Sequence, residues 1–306
     1  MHIALLGATS QIARDLIASF ERESEHHLAL FARQPEAVSV PQRLRDAAHC
    51  TVAPLADFDP RQIFDAIINF VGVGTPRKTV AMGASILEVT QRFDDLALAA
   101  LHHNPRCRYL FLSSGAAYGS QFDQPADDST PARFPINHLG AQDWYGIAKF
   151  YAECRHRALP EMHIVDLRVF NYFSRQQDVG AGYLITDIVK ALQNGETLRT
   201  APTPMVRDYI GPQDFHQLVQ CLLAAPHCNV AVDCYSRQPI AKQELLTLME
   251  QHFGLRYTVD DASVLNGTGA KPHYYSLSRR SAQFGYEPLF SSADNVLKET
   301  RALFEK

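Results

Sequence analysis

Residues 2–170 repeat one arrangement: a short, nearly unbroken apolar run, a turn, then apolar residues at helical spacing. The first run is His2–Leu6 and stops at Gly7. Ile12, Ala13, Leu16, Ile17 and Phe20 then fall on one face of a helix. Further runs are Leu28–Ala32, Cys50–Ala53, Ala66–Val71, Arg108–Ser113 and His163–Phe170. The fourth leads into Gly72-Val73-Gly74, and a long helical stretch then reaches about His102. Strands that are apolar at successive rather than alternate positions are covered on both faces. Parallel strands also need long crossovers, which helices supply. The pattern therefore predicts an α/β fold around a buried parallel sheet.

The pattern changes after residue 171. Gly180–Gly195, Asp214–Ala225, Lys242–Phe253 and Ala293–Phe304 read as helices, and Val230–Asp233 as a short strand that could return to the main sheet. At 306 residues, 46% hydrophobic and 20% charged, the chain suits two lobes and excludes wholesale disorder. A net charge of −4 without a basic run argues against a nucleic-acid partner or a membrane surface. No apolar stretch approaches the roughly 20 residues of a membrane span. The apolar start is short and lacks a basic flank, so no leader is expected. The six cysteines are scattered without a C-x-x-C pair, which predicts neither a disulfide framework nor a zinc site and fits a reducing cytoplasm. His26-His27 and His102-His103 read as solvated positions near helix ends, so no metal site is expected.

The chemistry-bearing residues sit at strand ends. The turn Gly7-Ala8-Thr9-Ser10-Gln11-Ile12-Ala13 joins the first strand to the first helix, where free N–H groups and the helix dipole hold a dinucleotide pyrophosphate. Only Gly7 is a glycine there, and Ser10 and Ala13 take the later small-residue positions. The second run ends Ala32-Arg33, with no acid for an adenosine ribose and with a cation suited to a 2′-phosphate; this favours NADP over NAD. Tyr145 and Lys149, at i and i+4, share one helix face, where the ammonium is expected to lower the phenol's pKa for proton transfer. Ser113-Ser114 ends the fifth run, at the sheet edge where such folds place their chemistry.

Taken in order, Gly7-x-x-Ser10-x-x-Ala13, Ser113-Ser114-Gly115-Ala116-Ala117-Tyr118-Gly119 and Tyr145-x-x-x-Lys149 resemble the extended short-chain dehydrogenase/reductases. Leu167-Arg168-Val169-Phe170-Asn171, Arg207-Asp208-Tyr209-Ile210 with Asp214, and Ser278–Pro288 resemble their nucleotide-sugar epimerase/dehydratase branch. The resemblance implies a Rossmann-like doubly wound sheet with a smaller C-terminal α/β substrate lobe, divided as 1–170 for NAD(P) and 171–306 mainly for substrate. It implies Ser114 as catalytic serine and Tyr145 as general acid/base. Lys149 would tune Tyr145 and bind the nicotinamide ribose. Gly72 would lie against the cofactor, with Asp57 near the adenine, and Asn171 and Arg207 would hold the substrate diphosphate. A homodimer through helices flanking the Tyr145–Lys149 helix is implied too, with Phe150, Tyr151 and Leu159 available for it.

The departures narrow the chemistry. Gly115-Ala116 replaces the Asp-Glu pair of the 4,6-dehydratases, which removes the catalyst for water elimination. Ala116 also stands where bifunctional C3/C5 epimerase-reductases have a cysteine, and Tyr172-Phe173-Ser174 replaces a Gly-Pro turn. The expected activity is NADPH-dependent reduction of a 4-keto nucleotide sugar. The alternative is a 4-epimerase that recycles tightly held NAD, and the third reading is a non-catalytic dinucleotide-binding protein.

Overall fold

A computed structural model of the chain describes residues 1–21, 26–46, 49–73, 75–260 and 271–305; Gly74 lies outside them. The elements of the first part are β1 (His2–Leu6), α1 (Gln11–Phe20), β2 (His27–Ala32), α2 (Gln42–Asp46), β3 (Cys50–Pro54), β4 (Ala66–Asn69), α3 (Pro76–Met82), α4 (Ser85–His103), β5 (Arg108–Ser114), α5 (Trp144–Arg157) and β6 (Ile164–Val169). They are followed by β7 (Asn171–Tyr172), α6 (Leu184–Asn194), β8 (Thr197–Thr200), β9 (Val206–Arg207), β10 (Tyr209–Ile210), α7 (Pro212–Ala224) and β11 (Asn229–Asp233). The chain closes with β12 (Ile240–Ala241), α8 (Lys242–Phe253), β13 (Arg256–Val259), β14 (His273–Tyr274) and α9 (Ser292–Phe304).

Seven parallel strands form the main sheet in the order β11-β6-β5-β4-β1-β2-β3. The winding reverses between β1 and β4, so a crevice opens beyond their carboxyl ends. Residues 3–6 of β1 and all of β4 are buried, as a strand covered on both faces requires. One apolar layer unites Leu16, Ile17 and Phe20 of α1 with Phe215, Leu218 and Leu222 of α7. The opposite layer unites Ala97, Leu98 and Leu101 of α4 with Ala152 of α5 and the strand residues Ile67, Tyr109 and Phe111. A third core lies in the later residues, where Phe173 and helices α6, α8 and α9 pack around Leu198, Met205 and Tyr209. Thus α7 and β11, although they follow residue 171, belong to the main sheet.

Three local expectations change. The long helix expected to run to His102 breaks at Gly83, whose φ of +52° ends α3 before α4 begins. The helix expected from Gly180 starts at Leu184 instead, where the Thr186 hydroxyl accepts the Tyr183 N–H at 2.9 Å. His27 opens strand β2 rather than flanking a helix end.

Between α4, α5 and the sheet lies a buried ionic chain. His156 of α5 gives its ring nitrogens to Asp166 Oδ1 at 2.6 Å and Asp94 Oδ1 at 2.7 Å, and all three side chains are fully buried. Tyr109 donates to Asp94 at 2.9 Å, and Asn69 donates to Tyr109 at 2.9 Å. Burial alone would lower the His156 pKa. The two aspartates outweigh it and raise the imidazole to about 9. A folded pKa above the unfolded 6.5 stabilises fully below pH 6.5, and the benefit is lost as pH rises through 9. On this linkage the His156 charge is worth on the order of 3 kcal/mol near neutral pH. His156→Gln is expected to lose about 3 kcal/mol at pH 6, because it removes the cation that bridges the two buried carboxylates, although Asp94 keeps Arg155 and Asp166 keeps Arg157. The deficit against the unmodified protein should shrink between pH 7 and 10, which denaturant unfolding at several pH values will read; a deficit independent of pH would refute the assignment.

Candidate active site

The first loop is built around backbone constraints. Gly7 has φ +82°, and a Cβ there would lie 3.0 Å from Phe70 C and Val71 N. The loop therefore takes glycine both for its dihedral and for its close approach to the end of β4. Gly7 N–H and Ala8 N–H both donate to Phe31 O, at 2.8 and 3.0 Å, which pins the turn to β2. Ser10 is the N-cap of α1, its hydroxyl accepting Ala13 N–H at 3.3 Å. That hydroxyl accepts from the helix and keeps its own O–H to donate. Ala13 is fully buried against the sheet, so a methyl group is accommodated where a third glycine would allow close packing. The N–H groups of Gln11 and Ile12 have no partner among the described residues and face an anion-binding position. The Gln11 side chain turns instead to Ser174 Oγ at 3.1 Å and Gln177 Oε1 at 2.8 Å. Thr9 lies half-buried in the same turn.

Arg33 is exposed immediately beyond β2, with no hydrogen-bond or ion-pair partner among the described residues. Asp57 is exposed in the short turn Leu55–Asp57 that follows β3. Both lie on the β2–β3 side of the crevice, and Gly72 lies on the other side. A side chain begun at Gly72 would stand 3.5 Å from Lys149 Nζ. The loop after β4 and helix α5 therefore meet at that point. These contacts fit an elongated dinucleotide: free amides at its middle, open backbone at Gly72 and a cation at one end.

Helix α5 carries Tyr145 and Lys149. Gly146 lets it lie against the turn after β5, since a Cβ there would come within 2.6 Å of Ala116 O. Lys149 is 3% exposed and donates to Leu112 O at 2.7 Å, with its amine over the Phe111 ring at 4.4 Å. Its amine is 5.9 Å from the Tyr145 ring centroid. Burial pushes the Lys149 pKa down to about 8, against the opposing pull of Asp94, Asp166 and Glu153. Tyr145 differs from expectation. Burial raises its pKa, and a hydrogen bond with Ser114 is the influence that lowers it. The lysine does not depress the phenol in the protein alone, because its amine is turned to a carbonyl rather than to the hydroxyl.

The structure separates the two serines. Ser113 donates to Glu153 Oε1 at 2.5 Å, inside a buried network in which Arg168 binds Glu153 and Tyr118. Ser114 faces the cleft, with its hydroxyl 3.4 Å from Tyr274 Oη and bonded to Tyr145. Ser114 and Tyr145 thus share one side of the cleft, with Lys149 below. Position 115 has no room for an acid: a Cβ on Gly115 would stand 2.4 Å from the Phe170 ring.

Of the two expected diphosphate ligands, Arg207 keeps a free donor. It is 4% exposed, Nη1 donates to Val206 O and Lys271 O at 2.8 and 2.7 Å, and Nη2 is buried without a partner among the described residues. Asn171 spends its amide on backbone, donating to Tyr274 O at 3.1 Å and Asp208 O at 3.5 Å. It therefore fixes the wall of the cleft and has only its carbonyl oxygen left to offer. Tyr274, Tyr183 and Lys271 line this region and were not identified from sequence. Tyr274 and Lys271 follow a stretch without hydrophobic periodicity, so no pattern marks them. Among the described residues no group of three or more His, Cys, Asp or Glu side chains could hold a metal, and no helix is long and apolar enough to cross a membrane.

Known structures share this architecture. UDP-N-acetylglucosamine 4-epimerase from Methanobrevibacter ruminantium M1, in complex with UDP-N-acetylmuramic acid, superposes with a TM-score of 0.80 at 15% identity, over 99% of this chain and 98% of that one. UDP-glucuronic acid 4-epimerase from Bacillus cereus with NAD gives 0.75 at 13% identity, covering 100% and 99%. dTDP-glucose 4,6-dehydratase from Bacillus anthracis str. Ames with NAD gives 0.78 at 12% identity, covering 100% and 97%. At these identities the likeness speaks for the fold. No curated protein sequence matches the chain significantly. The model of the NAD dependent epimerase/dehydratase family matches residues 3–258. A switch-point crevice, the Ser114–Tyr145–Lys149 cluster and that match together place the chain in the NAD-dependent epimerase/dehydratase family, within the extended short-chain dehydrogenase/reductases.

Proposed function

We propose that the protein is a nucleotide-sugar 4-epimerase. It would oxidise the C4 hydroxyl of a nucleoside-diphosphate sugar and return hydride to the opposite face. The observation that carries this is the placement of the Ser114–Tyr145 pair and the unpartnered Arg207 Nη2 on the same cleft wall, with Tyr274 between them. Bound oxidised nicotinamide would accept the hydride from C4. Ser114 holds the C4 oxygen, Tyr145 takes its proton and later returns it, and Lys149 supplies positive charge beneath them. Arg207 binds the diphosphate through a fork already oriented by two carbonyls. The crowding of Gly115 by Phe170 argues against water elimination. UDP sugars, which the epimerases of similar fold bind, are the first substrates to test. The exposed rings of Phe150 and Tyr151 on α5 support a homodimer through that face.

A second reading, reduction of a 4-keto nucleotide sugar by NADPH, is favoured by Arg33, an exposed cation where a 2′-phosphate would lie. One measurement separates the two. The purified protein, denatured without added ligand, is expected to release NAD or NADH detectable by mass spectrometry. Protein that emerges empty and then prefers NADPH would favour the reductase. In that case Arg33→Ala should remove the preference, costing about tenfold or more in NADPH affinity while sparing NADH.

Tyr145→Phe tests the chemistry itself. Turnover of UDP-sugar substrates, followed by product analysis, should fall by about 10²–10⁴, with UDP affinity changed less than threefold. Undiminished turnover would remove Tyr145 from the mechanism.

A further inference from the structure

Strand β14 pairs in parallel with β9, which sets Tyr274 opposite Arg207. The Tyr274 ring carries two cations: Lys271 Nζ lies 4.6 Å from its centroid and the Arg207 guanidinium 5.9 Å. Lys271 Nζ is also 5.5 Å from the Phe122 ring, and its own carbonyl accepts from Arg207 Nη1. Its amine has no hydrogen-bond or ion-pair partner among the described residues. Among the described residues the titratable groups around it are Arg207, Tyr274 beneath it and Tyr209 beside Arg207, none of them a carboxylate. Other sheltered guanidiniums are paired with acids, Arg168 with Glu153 and Arg155 with Asp94. Two neighbouring cations without an acid repel each other and lose hydration together, a cost relieved by a ligand with two adjacent negative charges.

We propose that Lys271 is a second ligand for the substrate diphosphate, beside Arg207, and that the grip of the pair is linked to protonation of the Lys271 amine. The inference rests on the nucleoside-diphosphate reading above. Burial, and then repulsion by Arg207, push the Lys271 pKa down to about 8. The amine is therefore charged at pH 7 and largely neutral at pH 9. A bound diphosphate favours the charged form, so binding takes up a proton when pH is above 8. Arg207 stays charged throughout this range and supplies the pH-independent part of the affinity.

The experiment is calorimetric titration of the full-length protein with UDP at pH 7, 8 and 9, alongside Lys271→Met and Lys271→Arg. The same ligand serves all three proteins, so its own ionisation cancels in the comparison. The unmodified protein should lose at least fivefold more affinity from pH 7 to 9 than either variant. Proton uptake at pH 8 to 9, read from buffers of different ionisation enthalpy, should vanish in both variants. Lys271→Met should bind at least fivefold more weakly at pH 7, and Lys271→Arg should stay within threefold of the unmodified protein. If Lys271→Met fails to fold by circular dichroism, Lys271→Arg decides: a flattened pH profile supports the inference, and an unchanged one overturns it. UDP binding with the unmodified pH profile in both variants would overturn the role of Lys271 while leaving the nucleotide-sugar reading in place. Failure of UDP to bind to any of the three would overturn both.

Discussion

Helix α5 holds its position because the polar groups on its inner face meet buried partners. Tyr145, Lys149, Glu153 and His156 form one inward stripe along α5. Lys149 bonds the carbonyl of Leu112, Glu153 bonds Ser113 and Arg168, and His156 bridges Asp94 and Asp166. Such groups are costly inside a protein unless satisfied, so the stripe specifies one register of helix against sheet. An apolar stripe of similar volume would tolerate sliding, which would carry Tyr145 away from Ser114. Gly146 completes the constraint by admitting the backbone of the turn after β5.

The same arrangement sets the charge of the lysine. Burial favours neutral Lys149, whereas Asp94, Asp166 and Glu153 favour the ammonium. Carboxylates that fasten the helix thus also favour the charged form of Lys149. The residues that fix the helix are thus the ones that set the charge of Lys149, and neither property can be altered alone.

Much of this was legible in the sequence because it is periodic. Continuous apolar strands and helical faces identified a buried parallel sheet, and strand ends located Gly7, Ser114 and Gly72. The spacing of Tyr145 and Lys149 identified their shared face but not their geometry; periodicity cannot say that the amine turns to Leu112 O instead of the phenol. Spacing alone did not separate Ser113 from Ser114, which only the family resemblance did: alternate sides of a strand differ in surroundings, not in spacing. Ser10 was readable as a loop residue, yet its role as a helix cap depends on φ and ψ. The Arg207, Lys271 and Tyr274 group was hardest to see, since it comes from residues up to 67 positions apart that meet through two-residue strands.

Strand β11 has a consequence for how the molecule is assembled. It completes the sheet beside β6 after about 60 intervening residues have built much of the third core. The segment between β6 and β11 is thus inserted between neighbouring strands and held at both ends by the sheet. Asp233, at the end of β11, also lies 3.5 Å from Arg168 and accepts from Tyr118 and Ser276. During synthesis the ribosome releases β6 long before its neighbour exists, so its open edge and the Arg168 cluster must wait for the chain to return. Closing the sheet and completing the Arg168 cluster both require β11. The two lobes are ordered by a strand that belongs spatially to one and sequentially to the other.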